Sequence, residues 1–317
     1  MLNHVGAHEA RKMMQPRAEP AGLFDLRYAA FLETVVHVRR DLHRYCTRMT
    51  GSALDGEDVM QDSLFEAYRK IDLLDDAQAL RQWLFRIAHN RCIDFIRSRR
   101  ARQAAEANYA EDAAVLPVEP PGTGASRAIE RLVIRLPPKE RACVLLKDVF
   151  DYSLEEVAGL VGSTIGGVKS ALNRGRAKLA VLPSNGPARS APHVNPELAT
   201  LLGRYVELFN LRDWDGVRAL TSADARLRVA DCYKGRLADS PYFVEYEKAA
   251  MPWRLEIGTV DGETMLIVLH LREGRWNPAY PIRIRAERGV IEYVADYYAC
   301  PWLLAQADQV AVRGLTA

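Results

Sequence analysis

The sequence predicts a multidomain protein in which two all-α domains precede an α+β domain with a curved antiparallel sheet. Apolar residues recur at helical spacing from about residue 23 to 182. Short alternating strands separated by turn signals follow from residue 226, and two stretches rich in Pro separate the three parts. The predicted segments are a tail at 1–21, a helical domain at 22–103, a linker at 104–127, a helical domain at 128–182, a linker at 183–196 and the α+β domain at 197–310.

Composition restricts what the chain can bind. Lysine and arginine total 43 against 41 aspartate and glutamate, so any nucleic-acid surface has to be local rather than spread over the chain. Five cysteines occur singly without a CxxC motif, which argues against a disulfide framework or a zinc site. Neither an apolar signal core nor a run near the ~18 residues of a membrane span is found. We therefore expect a cytoplasmic protein with no membrane contact, no metal and no cofactor.

The first helical domain combines an acidic helix with a basic one. Acidic residues begin the predicted helix 57–70, where they suit the positive end of the helix dipole and need no further role. The predicted helix 80–102 ends in the arginine run RSRRAR, and arginine at a helix C-terminus is also favourable by itself. The pattern alone leaves open whether that run stabilises the helix or binds nucleic acid.

The second helical domain contains a predicted helix-turn-helix in its last thirty residues. Ser153 and Glu156 form a capping box for the first helix, Gly162 ends it, and Ser163 or Thr164 caps the second. In the second helix the residues predicted to face inward are Ile165, Val168, Leu172 and Leu179, and those predicted to face outward are Lys169, Ser170, Asn173, Arg174 and Arg176. Such a helix can reach base edges and phosphates. A surface helical hairpin with a solvated basic face is the alternative.

The α+β domain begins with two predicted helices, at 197–212 and 214–220. The predicted strands lie at 226–231, 254–260, 264–271, 281–286 and 290–297. The dipeptides Asp261-Gly262, Glu273-Gly274 and Arg288-Gly289 separate the later strands and are typical of tight hairpins.

The two helical parts together resemble a known family. RYCTRMTGSALDGEDVMQDSLFEAYRK, at 44–70, and LRQWLFRIAHNRCIDFIRSRRAR, at 80–102, resemble region 2 of the extracytoplasmic-function sigma factors. Residues 136–179, from LPPKER to VKSALNRGRAKL, resemble region 4 of the same family. Two matches in the right order, with a linker between them, are more specific than either alone. The chain is thereby identified as a member of that family, whose fold class agrees with the two helical domains.

The resemblance implies roles for individual positions. For the helix that binds the clamp of RNA polymerase, the matching residues are Asp55, Glu57, Asp58, Gln61 and Asp62. For reading and melting the −10 element they are Asn90, Arg97, Arg99, Arg100 and Arg102, together with the segment 72–80. For reading the −35 element they are Ser163, Thr164, Gly167, Lys169, Ser170, Asn173, Arg174 and Arg176. The family often has arginine where this chain has Ala171, which puts one DNA contact in doubt.

Residues 196–305 resemble the SnoaL-like cone domain, which in some sigma factors takes part in controlling the sigma factor. RYVELFNLRDWDGVRAL at the start and IEYVADYY near the end carry that resemblance. Cone domains also include isomerases and cyclases with a buried Asp or His as general base. The candidates for such a base are Asp231, His270 and Asp296. A lone His at the end of a strand is more often structural, Asp296 is equally explained as a strand cap, and fold does not imply function.

These observations predict a sigma factor and not an enzyme. Its expected partners are core RNA polymerase, through clamp and flap, and promoter DNA, with intramolecular docking of the C-terminal domain as a means of control. One alternative is a free-standing helix-turn-helix regulator. The other is an enzyme with a DNA-targeting arm, which would need a competent base in the cone.

Overall fold

The computed structural model describes residues 31–74, 79–107, 134–181, 196–298, 300, 302–307 and 309–313. Within them the chain forms two compact units, a helical unit up to residue 181 and a C-terminal unit from residue 196. Among the helices in these ranges, none is long and apolar enough to cross a membrane. The predicted tail at 1–21 and nearly all of both predicted linkers lie outside the described residues.

Six α-helices of the helical unit lie wholly within the described residues. They are α1 (Val36–Thr50), α2 (Ala53–Arg69), α3 (Leu80–Ala107), α4 (Pro138–Val144), α5 (Leu154–Leu160) and α6 (Ile165–Val181). A π-helix at Leu145–Val149 directly follows α4. Helix α2 begins four residues earlier than predicted, because Ser52 caps it by accepting a hydrogen bond from the Asp55 N–H. Helix α3 continues five residues past its predicted end, into the segment predicted as a linker.

The two predicted helical domains share one apolar core in this unit. Phe85 of α3 lies between residues of both, with ring centroids 5.5 Å from Tyr45 and 5.3 Å from Phe150. The guanidinium of Arg141, in α4, donates to the carbonyl groups of Met49, Ile134 and Leu136. That side chain is buried, which lowers the pKa of Arg141 to about 10. The contact joins the C-terminal turn of α1 to the segment that leads into α4.

The C-terminal unit is built on one seven-stranded sheet. Its strands are β1 (Thr221–Val229), β2 (Tyr233–Arg236), β3 (Trp253–Val260), β4 (Glu263–Arg272), β5 (Arg275–Glu287), β6 (Val290–Asp296) and β7 (Val310–Val312), in the order β2-β1-β6-β5-β4-β3-β7. Its helices are α7 (Pro196–Leu211), α8 (Trp214–Ala219), α9 (Tyr242–Glu247) and α10 (Trp302–Gln306). The apolar face of α7 packs with the inner side chains of the sheet, and Phe209 contacts five aromatic rings there besides Tyr205.

Three tight hairpin turns join β3 to β6 and match the turn prediction. Both central residues of each turn have positive φ, for example Asp261 at 51° and Gly262 at 82°. This conformation matches the right-handed twist of the strands and explains the glycine in each dipeptide.

The prediction of an antiparallel sheet was wrong at one position. Five strand pairings are antiparallel, but β1 pairs in parallel with β6, with Arg226 opposite Tyr293. The sheet is therefore mixed. Strands β2 and β7 and helices α9 and α10 were not predicted, because these segments are short and lack a clear apolar period.

Candidate nucleic-acid interface

Local hydrogen bonds cap the start of α5 and of α6. The Ser153 hydroxyl accepts from the Glu156 N–H at 3.1 Å, and the Glu156 carboxylate accepts from the Ser153 N–H at 2.7 Å, as the capping box predicts. Gly162 has φ 60° in the turn. The Thr164 hydroxyl then caps α6 by accepting from the Gly167 N–H at 3.1 Å. The two helices, joined by this short turn, form a helix-turn-helix.

The packed face of α6 begins one turn into the helix. Val168, Ala171 and Leu172 are buried. Ile165 is 39% exposed, so the prediction that it faces inward was wrong. The burial of Ala171 also means that a longer side chain at that position would enter the packing and not reach outward.

The opposite face of α6 is polar and basic. Its exposed residues are Lys169, Ser170, Asn173, Arg174, Arg176 and Lys178. Thr164 is exposed beside them, and Ser163 and Gly167 are half-buried at the cap. A β-carbon built at Gly167 would lie 2.6 Å from the Ser163 hydroxyl oxygen, so the cap leaves no room for a side chain there. The structure thus brings all eight residues predicted for the −35 role to one end and one face of the helix-turn-helix.

Two carboxylates, which the sequence reasoning missed, pair with this basic face. Glu140 of α4 accepts from Arg174 Nε at 3.1 Å and from Lys178 Nζ at 2.8 Å. Asp148 accepts from Arg176 through Nε at 3.0 Å and Nη2 at 2.5 Å. Burial acts to raise the pKa of Glu140, but hydrogen bonds from Lys178 and Arg174 outweigh it and leave that pKa below its ordinary value. The paired residues are separated by 28 to 38 positions in the chain, and no local sequence pattern links residues so far apart. The sequence therefore carries no signal for these pairs.

A second basic surface lies along the C-terminal half of α3. Asn90 and the four arginines of the predicted −10 group, Arg97, Arg99, Arg100 and Arg102, are exposed. Arg97 lies 3.9 Å from Asp94, a surface pair of the kind that contributes little to stability, and Arg99 lies 3.6 Å from the half-buried Asp55. Part of the segment 72–80, at 75–78, lies outside the described residues.

The acidic helix α2 does not present all five predicted residues outward. Glu57 and Gln61 are buried, and the Gln61 amide donates to Glu57 at 2.8 Å. Arg39 also donates to Glu57, at 3.0 Å. Asp55, Asp58 and Asp62 are half-buried. The sequence pattern did not indicate this difference, because Glu57 is acidic and polar residues are usually exposed.

Close contact between α1 and α2 explains the burial of Glu57. A β-carbon built at Gly56 would lie 2.5 Å from the backbone N and Cα of Thr47. The glycine lets the two helices approach until the side chain of the next residue is enclosed.

Of the three candidate bases in the C-terminal unit, Asp296 has the most altered environment. It is 1% exposed, and its Oδ2 accepts from the hydroxyls of Tyr242 at 2.8 Å and Tyr246 at 2.6 Å. Oδ1 accepts from the Tyr298 N–H at 2.8 Å. Burial raises the pKa of Asp296 to about 6, although these hydrogen bonds act to lower it. Both oxygens are occupied and shielded from solvent, so the group is arranged as a buried structural acid.

The other two candidates differ from Asp296 in position. His270 is half-buried on β4, its ring 5.8 Å from that of Tyr280, and burial with the nearby Arg272 lowers its pKa. Asp231 lies in the turn between β1 and β2 with φ 58°. In the described ranges, no group of three or more His, Cys, Asp or Glu residues could hold a metal ion.

The chain is similar to known proteins over its helical part. The family model "Sigma-70 region 2" matches residues 34–102, and "Sigma-70, region 4" matches residues 126–179. "ECF RNA polymerase sigma factor SigG" of Mycobacterium tuberculosis is 33% identical over 234 residues, which cover 65% of this chain and 62% of that protein. "ECF RNA polymerase sigma factor SigW" of Bacillus subtilis is 30% identical over 168 residues, covering 47% of this chain and 87% of that protein. "ECF RNA polymerase sigma factor SigM" of M. tuberculosis is 32% identical, covering 45% and 71%.

Proposed function

The chain belongs to the family of extracytoplasmic-function (ECF) RNA polymerase sigma factors, and from this we propose that it directs core RNA polymerase to specific promoters. The observation that carries the proposal is the exposed basic face of α6 on a capped helix-turn-helix. A helix of this kind fits the major groove of B-form DNA, where base edges present distinct donors and acceptors. Region 4 would read the −35 element through this face.

The exposed basic surface of α3 supports a second contact, with the −10 element. Arginines on the same helix as the exposed amide of Asn90 suit a melted strand, because cations hold the phosphates while the amide hydrogen-bonds a base edge. The four arginines named above would hold the backbone.

The acidic helix α2 is proposed to bind the polymerase clamp, and region 4 the flap. Within α2 the half-buried Asp55, Asp58 and Asp62 would make the contact, while Glu57 and Gln61 act indirectly by fixing the helix. A free-standing helix-turn-helix regulator would not need this contact.

The C-terminal unit is proposed to be SnoaL-like and to modulate activity in cis by docking on the helical unit. The intervening segment 183–196 is short and rich in Pro. A tethered partner binds intramolecularly at an effective concentration that can reach about millimolar. Such docking would shift the population between a closed and a polymerase-competent state.

Run-off transcription tests the main proposal. Core polymerase with and without the full chain is incubated with a library of promoter fragments, and the transcripts are sequenced. We expect the chain to select templates that share two short elements at fixed spacing. Equal transcription with and without the chain would refute the proposal.

Charge reversal on α2 separates a sigma factor from a free-standing regulator. Asp58→Lys with Asp62→Lys should abolish pull-down of core polymerase with unchanged far-UV circular dichroism. The matched control is Glu207→Lys with Glu247→Lys, which makes the same charge change at exposed positions of α7 and α9. If the α2 variant retains wild-type pull-down, α2 is not the polymerase contact.

A further inference from the structure

The carboxylate of Glu140 lies between two cations of the recognition helix. Its side chain is 8% exposed, and its two oxygens each accept from a different residue, Oε1 from Arg174 at 3.1 Å and Oε2 from Lys178 at 2.8 Å. Arg174 and Lys178 are four residues apart and therefore neighbours on one side of α6. One buried carboxylate thus holds two of the exposed basic side chains in place.

Gly175 makes this contact possible. A β-carbon at that position would lie 2.9 Å from Val144 Cγ2 and 3.6 Å from Glu140 Cβ. Without a side chain at 175, α4 and α6 approach until the Glu140 side chain passes over the glycine. The carboxylate then reaches the residue before it and the residue three positions after it.

The burial of Glu140 makes the pairing persistent. A carboxylate with little solvent access is costly to leave without donors, because water cannot replace them. Arg174 is 57% exposed and bonds Glu140 through Nε, whereas Lys178 is 49% exposed and bonds it through its terminal Nζ. DNA can therefore approach the terminal nitrogens of Arg174 without separating that side chain from Glu140.

Arg174 and Arg176 use different sets of guanidinium nitrogens to bind their carboxylate partners. Arg174 bonds Glu140 through Nε, so neither terminal nitrogen of its guanidinium is used in that bond. Arg176 gives both Nε and Nη2 to Asp148. Guanine presents O6 and N7 side by side in the major groove, and reading it takes two N–H groups of one guanidinium in a fixed orientation.

We propose that Glu140 is a positioning residue for promoter discrimination, holding Arg174 by Nε so that its two terminal nitrogens read a guanine of the −35 element. This rests on the proposed function. Asp148 binds both Nε and Nη2 of Arg176 and thereby restricts the Arg176 side chain to contacts with the DNA backbone.

The test compares discrimination with general affinity. Full chain assembled with core polymerase is titrated onto a fluorescent promoter selected by run-off transcription, and onto versions in which each G·C pair of the −35 element becomes A·T. For Arg174→Ala we expect the discrimination at one G·C position to fall by about tenfold, the contribution of one base-reading arginine. Glu140→Gln and Glu140→Asp should lower it at that same position by about threefold or more, because Arg174 keeps its charge but loses its anchor.

Three comparisons separate positioning from other roles. Glu140→Asp retains the negative charge, so a loss of discrimination there cannot come from net charge. Glu155→Gln makes the same charge change as Glu140→Gln on the exposed face of α5 and should leave discrimination unchanged. Adding Glu140→Gln to Arg174→Ala should cause no further loss at the guanine position, because both act through one contact.

The outcomes distinguish this inference from the proposed function. If the wild-type chain selects no promoter in run-off transcription, the proposed function fails first. If wild type discriminates and Arg174→Ala loses discrimination while both Glu140 variants keep it, Glu140 does not position Arg174. An equal loss at all −35 positions, with reduced helix content, would assign Glu140 a purely structural role and also overturn the inference.

Discussion

At the scale of single residues, two buried ionisable side chains make stability depend on pH in opposite directions. Burial lowers the pKa of His89, so the folded helical unit excludes a proton that the unfolded chain accepts. Burial raises the pKa of Asp296, so the folded C-terminal unit retains a proton that the unfolded chain releases. Stability therefore changes with pH over different ranges in the two units.

Acid should destabilise the helical unit through His89. Its pKa is about 4 against an ordinary value of 6.5, and its Nδ1 is 2.8 Å from the Tyr45 hydroxyl in the core. The contribution is present above pH 6.5 and is lost as pH falls toward 4, on the order of 2 kcal/mol between pH 7 and 5. The measurement is the urea midpoint for loss of hydrogen-exchange protection in α3. His89→Gln cannot titrate there and should show a smaller decrease; an identical decrease would exclude His89 as the cause.

Asp296→Asn should remove a pH dependence of the C-terminal unit. In wild type the stability contribution is present below pH 3.8 and is lost as pH rises through about 6, by about 3 kcal/mol. Asparagine cannot ionise, so the variant should lose less stability over that range. Four of the five tryptophans lie in this unit, so fluorescence-detected urea unfolding at pH 4 and 7 reports mainly on it. A variant whose midpoint moves with pH as far as in wild type would show that Asp296 does not titrate.

At the scale of elements, close helix crossings at glycine decide which polar side chains become enclosed. Gly56 lets α1 approach α2 and encloses Glu57, and Gly175 lets α4 approach α6 and partly encloses Glu140. In both cases the enclosed carboxylate accepts a hydrogen bond from an arginine of the neighbouring helix, Glu57 from Arg39 and Glu140 from Arg174.

Gly56→Ala should destabilise the helical unit despite the higher helix propensity of alanine. The new methyl group would meet backbone atoms of Thr47 at 2.5 Å, which cannot rotate away. Overpacking of this kind costs about 1–3 kcal/mol or more and exceeds the gain of up to about 1 kcal/mol from propensity. The matched control is Gly159→Ala in α5, where nothing lies within 4 Å and the propensity gain should appear alone. Hydrogen exchange in α2 measures the effect, and equal stability of the two variants would contradict the crossing.

At the scale of the whole molecule, each unit has a core of its own. The apolar cluster of the helical unit contains residues of each of the helices α1 to α6. The apolar cluster of the C-terminal unit is separate from it. Removal of the C-terminal unit should therefore leave the helical unit folded.

Truncation after Leu182 tests whether the C-terminal unit regulates. We expect promoter activity in run-off transcription to change several-fold in either direction while the helical circular dichroism of the remaining chain is kept. The two arms are the full chain and the truncated chain at equal concentration with core polymerase. Equal activity in inducing and non-inducing conditions would remove the regulatory role and make an independent role of the C-terminal unit the better hypothesis.

The sequence by itself determined the features that depend on near neighbours. The capping box at Ser153, the glycine turn at 162 and the three Gly-containing hairpins were predicted because each is fixed within four or five residues. The exposed face of α6 followed from helical spacing, and family membership followed from two ordered motifs. The exposure of Ile165, the first residue of α6, was not predicted, because helical periodicity does not show where the element packed against the helix ends.

Only the tertiary structure decided which distant residues meet. The pairing of Glu140 with Arg174 and Lys178, the burial of Glu57 and Gln61, and the hydrogen bonds of Asp296 to two tyrosines all join residues whose spacing has no local signature. The parallel pairing of β1 with β6 is of the same kind. Such contacts depend on how whole helices and strands pack, and packing is set by the summed burial of many side chains and not by the identity of any one pair.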